Sequence, residues 1–416
     1  VRELSFDAVV VGGGAAGMAA ALELDARGKS VAIVEREASL GGILEQCVHA
    51  GFGLIHFKEE LTGPEFAERF EGRVASSRIE VFCGCTVLGL EPDGEGHALT
   101  SASSSLGVLG FKARAVVLAM GCRERNRGNV RIPGSRPAGV YTAGLAQRLV
   151  NIDGYVPGKE VVVVGSGDIG LIMARRMSWI GCKVRAVVEI LPYPSGLARN
   201  IVQCLEDFSI PLYLSHLTTR IYGDRRVEGI EVAPIENGAL MAHKSFAIPC
   251  DTVLLSVGLV PENELSRGAG VELNPMTNGP WTDSYLMTGV PGVFACGNVL
   301  HVHDLVDYAV EEATRAGRFA ARWLDGSRPE RELRVKAGAN VRYIAPAKVE
   351  PGRDNKLYLR SMIVKNDAAL ELRLDGEPLK SYKKAHVQPS EMLTATLGPE
   401  DLSGAKPGSV LEIGIA

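Results

Sequence analysis

Several features are missing or scarce in this 416-residue chain. No apolar run reaches the ~18 residues that a membrane-crossing helix needs. The opening, Val1 to Asp7, leads straight into a strand, so no signal peptide is expected either. The eight cysteines, at 47, 83, 85, 122, 182, 204, 250 and 296, include no Cys-x-x-Cys pair. That argues against zinc ribbons, and the thiols read as reduced and cytoplasmic. Basic charge is not in excess: 45 Lys and Arg face 49 Asp and Glu, a net charge of −4. Neither nucleic acid nor an anionic membrane is favoured as a partner by that balance. Glycine is what the chain has in plenty, 48 residues, well above the usual ~7%. Tight turns and close backbone approach to ligands follow from such an excess.

Most informative is a strand–glycine–helix–strand unit that occurs twice. Asp7 to Val11 is a buried strand running into Gly12, Gly14 and Gly17, then an Ala-rich helix and a second strand ending at Glu35. Gly12 makes the tight turn, Gly14 admits a pyrophosphate to the backbone, and Gly17 lets helix and strand pack closely. Ala15 and Ala16 lie within the same loop, ahead of the helix expected from Met18 to Arg27, whose unpaired N–H groups and dipole favour phosphate. Glu35 falls where a carboxylate can accept from both hydroxyls of a ribose. The unit recurs at Val161 to Val164 with Gly165, Gly167, Asp168, Ile169 and Gly170, a helix to about Trp179, and a strand Lys183 to Val188 ending at Glu189. A later strand in each copy, Ala115 to Gly121 (through Ala119 and Met120) and Asp251 to Gly258, also runs into glycine. The pattern predicts an α/β fold of two Rossmann-like dinucleotide-binding domains, one inserted in the other.

The acid at each second strand suggests which nucleotide goes where. Glu189 would repel the 2′-phosphate of NADPH, and Ile190, Leu191 and Pro192 follow it where an NADP site would carry Arg, although Arg185 lies earlier on the strand. NADH is therefore favoured there. FAD is assigned to the first site: Glu35 and Arg36 lead to Gly41, Gly42 and Ile43, a glycine pair suited to a flavin. A distant strand, Val293 to Cys296, runs into Gly297 and Asn298 ahead of a helix expected from Leu305 to Leu324. The positive end of that helix could face the flavin.

With these residues in view, the chain resembles the FAD/NAD-dependent pyridine nucleotide oxidoreductases of the glutathione- and thioredoxin-reductase superfamily. It is most similar to a branch that accompanies flavin-dependent glycerol-3-phosphate dehydrogenases or oxidases, or forms subunits of sarcosine, opine and cyanide-producing amine oxidases. Gly51-Phe52-Gly53-Leu54 with Phe57 to Pro64, Gly121 to Arg125, Arg136 to Gly144, and Gly297 to Asp307 carry the narrower match. Together the matches span about residues 6 to 325. In the superfamily an Asp at the place of Asn298 bonds a ribityl hydroxyl of FAD, a bond Asn can also make.

The redox cysteine pairs of disulfide reductases do not occur at the matching places, which argues against dithiol chemistry. Cys47 stays open between two readings. It is a single thiolate over the flavin, activated by a helix N-terminus and His49, or it is a small buried filler. His301 and His303 read as flavin contacts or capping groups with Asp304 as the helix N-cap; a proton relay through His303 is the alternative, and no metal site is assigned. Cys83 and Cys85 read as two side chains on one strand face, with no metal role. Arg123, Glu124 and Arg125 read as an interdomain ion-pair cluster.

From about Pro329 strand-length segments (340–344, 356–364, 370–374, 410–415) predict a C-terminal β-rich domain, a sandwich or open barrel that either serves docking or dimerisation or merely packs on the flavin domain. The expected boundaries are 1–125 and 262–328 for the FAD domain, 126–261 for the NAD domain and 329–416 for the tail. The expected activity is hydride transfer between NAD(H) and FAD. Electrons then pass to a small acceptor or a partner flavoprotein subunit in a cytoplasmic, oligomeric system of glycerol-3-phosphate or amine oxidation. The alternatives are a single-cysteine NADH oxidase or coenzyme A-disulfide-type reductase using Cys47, and an electron-relay subunit with little activity alone.

Overall fold

The computed structural model describes residues 2–416, and Val1, the first residue of the expected FAD domain, lies outside them. The chain divides into two compact units, one built from the segments up to Cys122 and from Pro261 to Ala416, the other from Arg123–Val260.

In the first unit, strand Arg2–Val11 pairs in parallel with Val31–Val34 on one side and with Gly107–Leu118 on the other. Glu80–Phe82 extends the sheet beyond Val31–Val34, and Val293–Ala295 pairs in parallel with the end of Gly107–Leu118. Parallel strands covered on both faces must be apolar throughout, as Ala8 to Val11 and Val31 to Val34 are. The start of Gly107–Leu118 instead joins an antiparallel hairpin, Cys85–Asp93 with Gly96–Ser103. Helix Ala15–Asp25 owes its form to alanine propensity and packs on helix Val306–Leu324. One hydrophobic core joins both segments of this unit.

The second unit holds a five-stranded parallel sheet in the order Val140–Thr142, Thr252–Leu255, Glu160–Val164, Lys183–Val188, Leu212–Tyr213. Alternate residues of its central strand serve opposite faces, as the two-residue period of a strand requires. Val161 and Val163 lie in one core, Val162 and Val164 in another. An antiparallel set, His216–Gly223, Val227–Glu236 and Phe246–Pro249, completes the unit.

The tail forms two sheets around a core of its own. It contains strands at the four expected places and further ones at Leu333–Ala337, Glu377–Val387 and Met392–Leu397. Among the described residues no helix is long and apolar enough to cross a membrane.

Candidate functional site

The FAD loop is built by backbone alone. Gly12 has φ +105°, and a Cβ there would lie 2.5 Å from the Ala119 carbonyl oxygen. Gly41 N–H donates to the Gly13 carbonyl at 3.1 Å, which lays the Gly41–Gly42 pair along the loop. A Cβ on Gly297 would lie 2.8 Å from Ala16, so the Gly297–Asn298 turn closes against the start of helix Ala15–Asp25. A Cβ on Gly14, by contrast, meets nothing within 4 Å. That open, side-chain-free cradle at a helix N-terminus is what a dinucleotide's phosphates need. Glu35, buried, accepts from Gly13 N–H at 2.5 Å and Glu37 N–H at 2.8 Å. Two of its roughly four lone-pair positions are left for a ribose. Arg36 points outward beside Glu37, and Ile43 is 61% exposed. Asn298 accepts from His303 N–H at 2.9 Å and donates to Cys122 Sγ at 3.6 Å. Gly121, following Met120, accepts from Glu262 N–H.

The second loop repeats the plan with additions. Gly165 has φ +94°, and a Cβ there would lie 2.0 Å from the Ser256 carbonyl. Glu189 accepts from Ser166 N–H, Ser166 Oγ, Ser195 Oγ and Leu191 N–H at 2.6–3.0 Å. Asp168, at the first position of helix Asp168–Trp179, accepts from Leu197 N–H at 2.8 Å and Asn200 Nδ2 at 2.7 Å. Gly167 caps the helix without a side chain, Ile169 and Gly170 follow, and Gly170 N–H donates to Ser256 Oγ. Gly258 accepts from Arg125 N–H. Ser166 and Ser195 escaped the sequence reading; a serine at the middle of a Gly-x-Gly was the available signal.

Behind the Gly297–Asn298 turn, Glu312 Oε2 accepts from His301 Nε2 at 2.8 Å, and Oε1 accepts from His303 Nε2 at 3.1 Å and from Gly297 N–H at 2.7 Å. Donor atoms of the three side chains lie within 4.8 Å of one another, but each Nε2 is committed to Glu312. Burial would raise Glu312, yet the two imidazoles, by their charge once protonated and by their N–H bonds, hold the carboxyl well below the usual range. Glu312 was also missed, although a charge on the same helix face as buried Ala309, Ala313 and Ala316 marked it.

Those loops have counterparts in known proteins. The model of the pyridine nucleotide-disulphide oxidoreductase family matches residues 6–313. The chain belongs to that family. Membership makes it an oxidoreductase whose cofactors are FAD and a nicotinamide dinucleotide. Over 339 residues the chain is 26% identical to one of the subunits of opine oxidase from Agrobacterium tumefaciens (strain Ach5), covering 76% of this chain and 64% of that protein. Identity to one of the subunits of alkyl hydroperoxide reductase from Pseudomonas aeruginosa is 28% over 324 residues, covering 76% and 58%. The chain thus spans less than two thirds of the length of these curated relatives. Among solved structures, the thioredoxin reductase of T. acidophilum is 26% identical with a TM-score of 0.64, covering 76% of this chain and 98% of that one.

In this member of the pyridine nucleotide-disulphide oxidoreductases, several sequence expectations need correcting. Asp304 does not cap the following helix: that helix begins at Val306 with Leu305 before it and no side-chain cap. Asp304 pairs instead with Arg360 of the tail and accepts the Met392 N–H. In the first turn of that helix, Asp307 accepts from the N–H groups of Gly53, Ile55 and His56. Cys47 is not at a helix N-terminus; it closes the 3-10 turn Gly42–Gln46 from its C-terminal end. Its Sγ donates to the Ile43 carbonyl at 3.2 Å, and burial pushes the thiol up to about 12. His49 Nδ1 lies 3.1 Å from the Ala50 carbonyl. Cys83 and Cys85 do not share a strand face, because Gly84 turns the chain between them at φ +62°.

Proposed function

We propose that the protein is an NADH-dependent flavoprotein reductase, one component of a system that oxidises an amine or glycerol 3-phosphate. The observation that carries this reading is the pair of glycine loops, each with a buried acid tied back to it, in a chain without a dithiol pair at redox spacing. Bound FAD supplies the ring that takes a hydride from the nicotinamide and hands electrons on. Gly12, Gly14, Ala15, Ala16, Gly17, Gly41, Gly42 and Gly297 would form its cradle, Glu35 would take the ribose, and Asn298 the ribityl chain. NADH is preferred over NADPH because Glu189 is held by four donors and cannot swing away from a 2′-phosphate. Arg185, the nearest strand cation, is engaged by Glu160 at 2.6 Å. The opine oxidase relative is by name one subunit of an enzyme, which supports a partner subunit that exchanges electrons with the bound flavin.

Cys47 has no part in the proposed transfer, since a thiol held at about 12 gives almost no thiolate at neutral pH. An anaerobic titration of the purified yellow protein decides the reading. About one equivalent of NADH should bleach the flavin, with NADPH much less effective. A colourless protein that takes up no FAD, or a flavin that neither nucleotide reduces, would overturn it.

A further inference from the structure

The buried cluster behind the flavin turn has two atoms that nothing uses. His301 and Glu312 have no exposed surface, and the His303 side chain is 1% exposed. Because both Nε2 atoms donate to Glu312, each ring keeps its lone pair on Nδ1. Both Nδ1 atoms are buried without a hydrogen-bond partner. The ring centroids are 4.3 Å apart, so one carboxylate fixes the tautomer and direction of two adjacent bases. That same carboxylate holds Gly297 N–H, and His303 N–H holds Asn298, so the cluster is hydrogen-bonded directly to the turn expected to touch FAD.

We propose that the His301–His303 pair is a buried proton acceptor coupled to reduction of the bound FAD, with Glu312 as its positioning residue. This rests on the FAD reading above. A hydride from NADH carries two electrons and one proton, and so adds one negative charge at the cofactor. A proton drawn from solvent then forms an N–H bond at the free Nδ1 of one imidazole. The resulting imidazolium, paired with Glu312, offsets the added charge. No other oxidant or reductant is needed.

The surroundings suit such a role. In the resting protein, burial holds His301 below its ordinary value, with Glu312 pulling the other way and His303 and Arg360 adding to the lowering; His301 thus starts neutral. Arg360 is neutralised by Asp304. Tyr343 and Tyr358 of the tail face the rings, Arg315 and Glu311 lie beside Tyr358, and burial keeps both phenols and Cys296 protonated. Imidazole is the side chain type of this cluster whose ordinary range lies near neutral pH. An added negative charge at the turn raises its affinity for a proton.

The test measures the midpoint potential of the bound FAD by electrode between about pH 6.5 and 8, in the wild type and in a His301→Gln/His303→Gln variant. Glutamine keeps an N–H donor for Glu312 but cannot titrate. The wild type should take up about one proton more per electron pair than the variant, seen as a steeper fall of potential with pH. Glu312→Gln, which keeps the carbonyl acceptor but removes the charge that would pair with an imidazolium, should lose the extra proton too. A purely structural role would leave the proton count unchanged. Equal counts in wild type and variants would overturn the proposal. So would a stoichiometric transition metal in the purified protein, since a cation on those lone pairs leaves no place for a proton. Electrons come from the electrode, so a failure of NADH to reduce the protein would show separately.

Discussion

At Gly12–Gly17 the segment laid along the loop is a glycine pair, Gly41–Gly42, whereas at Gly165–Gly170 it is a stretch that brings polar side chains to the corresponding place. The first loop has Ala15 at the start of its helix, open space where a Cβ on Gly14 would point, and an acid with two lone-pair positions spare. The second has the Asp168 carboxylate at the start of its helix and an acid with four donors on it. Residues 190–200 are seated tightly there: a Cβ on Gly196 would meet Leu171 at 2.6 Å and the Ser166 carbonyl at 2.9 Å. The difference fits two different tenancies. A cofactor that stays needs an open cradle that closes once, during folding. A nucleotide that comes and goes needs a loop whose polar groups are satisfied when it is away, because a buried unpaired carboxylate would cost several kcal/mol.

The largest effect should come from adding one methyl to each loop. In Gly17→Ala the new Cβ falls 1.8 Å from the Gly12 carbonyl oxygen, a backbone atom that cannot rotate aside. In Gly170→Ala it meets Ser256 Cβ at 2.6 Å, Ser256 Oγ at 2.8 Å and the Gly165 carbonyl at 2.9 Å. Gly17→Ala should cost about 1–3 kcal/mol or more and purify with little flavin. Gly170→Ala should stay yellow and lose mainly NADH affinity. Equal flavin loss in the two, by absorbance, would break the contrast.

A smaller effect tests the charge. Asp168→Asn keeps an acceptor for Leu197 N–H while removing a negative charge from a helix N-terminus that must meet pyrophosphate. NADH should bind about two- to fivefold tighter by calorimetry, the ~0.3–1 kcal/mol of one charge at a helix end. Unchanged affinity would mean that the phosphates do not lie there.

The smallest effect concerns the thiol beside the FAD loop. Cys47→Ser should leave NADH-to-dye activity unchanged. With the thiol at about 12, deprotonation grows only as pH rises. Alkylation of Cys47 should therefore quicken by about tenfold per pH unit above pH 7. A rate flat between pH 7 and 9 would reveal a thiolate and revive the single-cysteine reading.

How far the sequence could be read follows from the distance between partners. Each strand–glycine–helix–strand unit is signalled within ~30 residues, by apolar runs, glycine spacing and a terminal acid, so both units could be named in advance. The hairpin Cys85–Ser103 carries no comparable pattern, because its strands mix polar and apolar residues on a sheet edge. Asp304 read as a cap because capping is the local option; its actual partner, Arg360, is 56 residues away.

The sequence alone determined the two nucleotide loops, their order and their acids, since these rest on backbone geometry that only glycine and short-range spacing can encode. Tertiary structure alone decided which groups each acid meets, that Glu312 gathers two histidines and a turn, and that a tail strand reaches Asp304. Those pairings depend on packing between segments far apart in the chain, and no local periodicity records them.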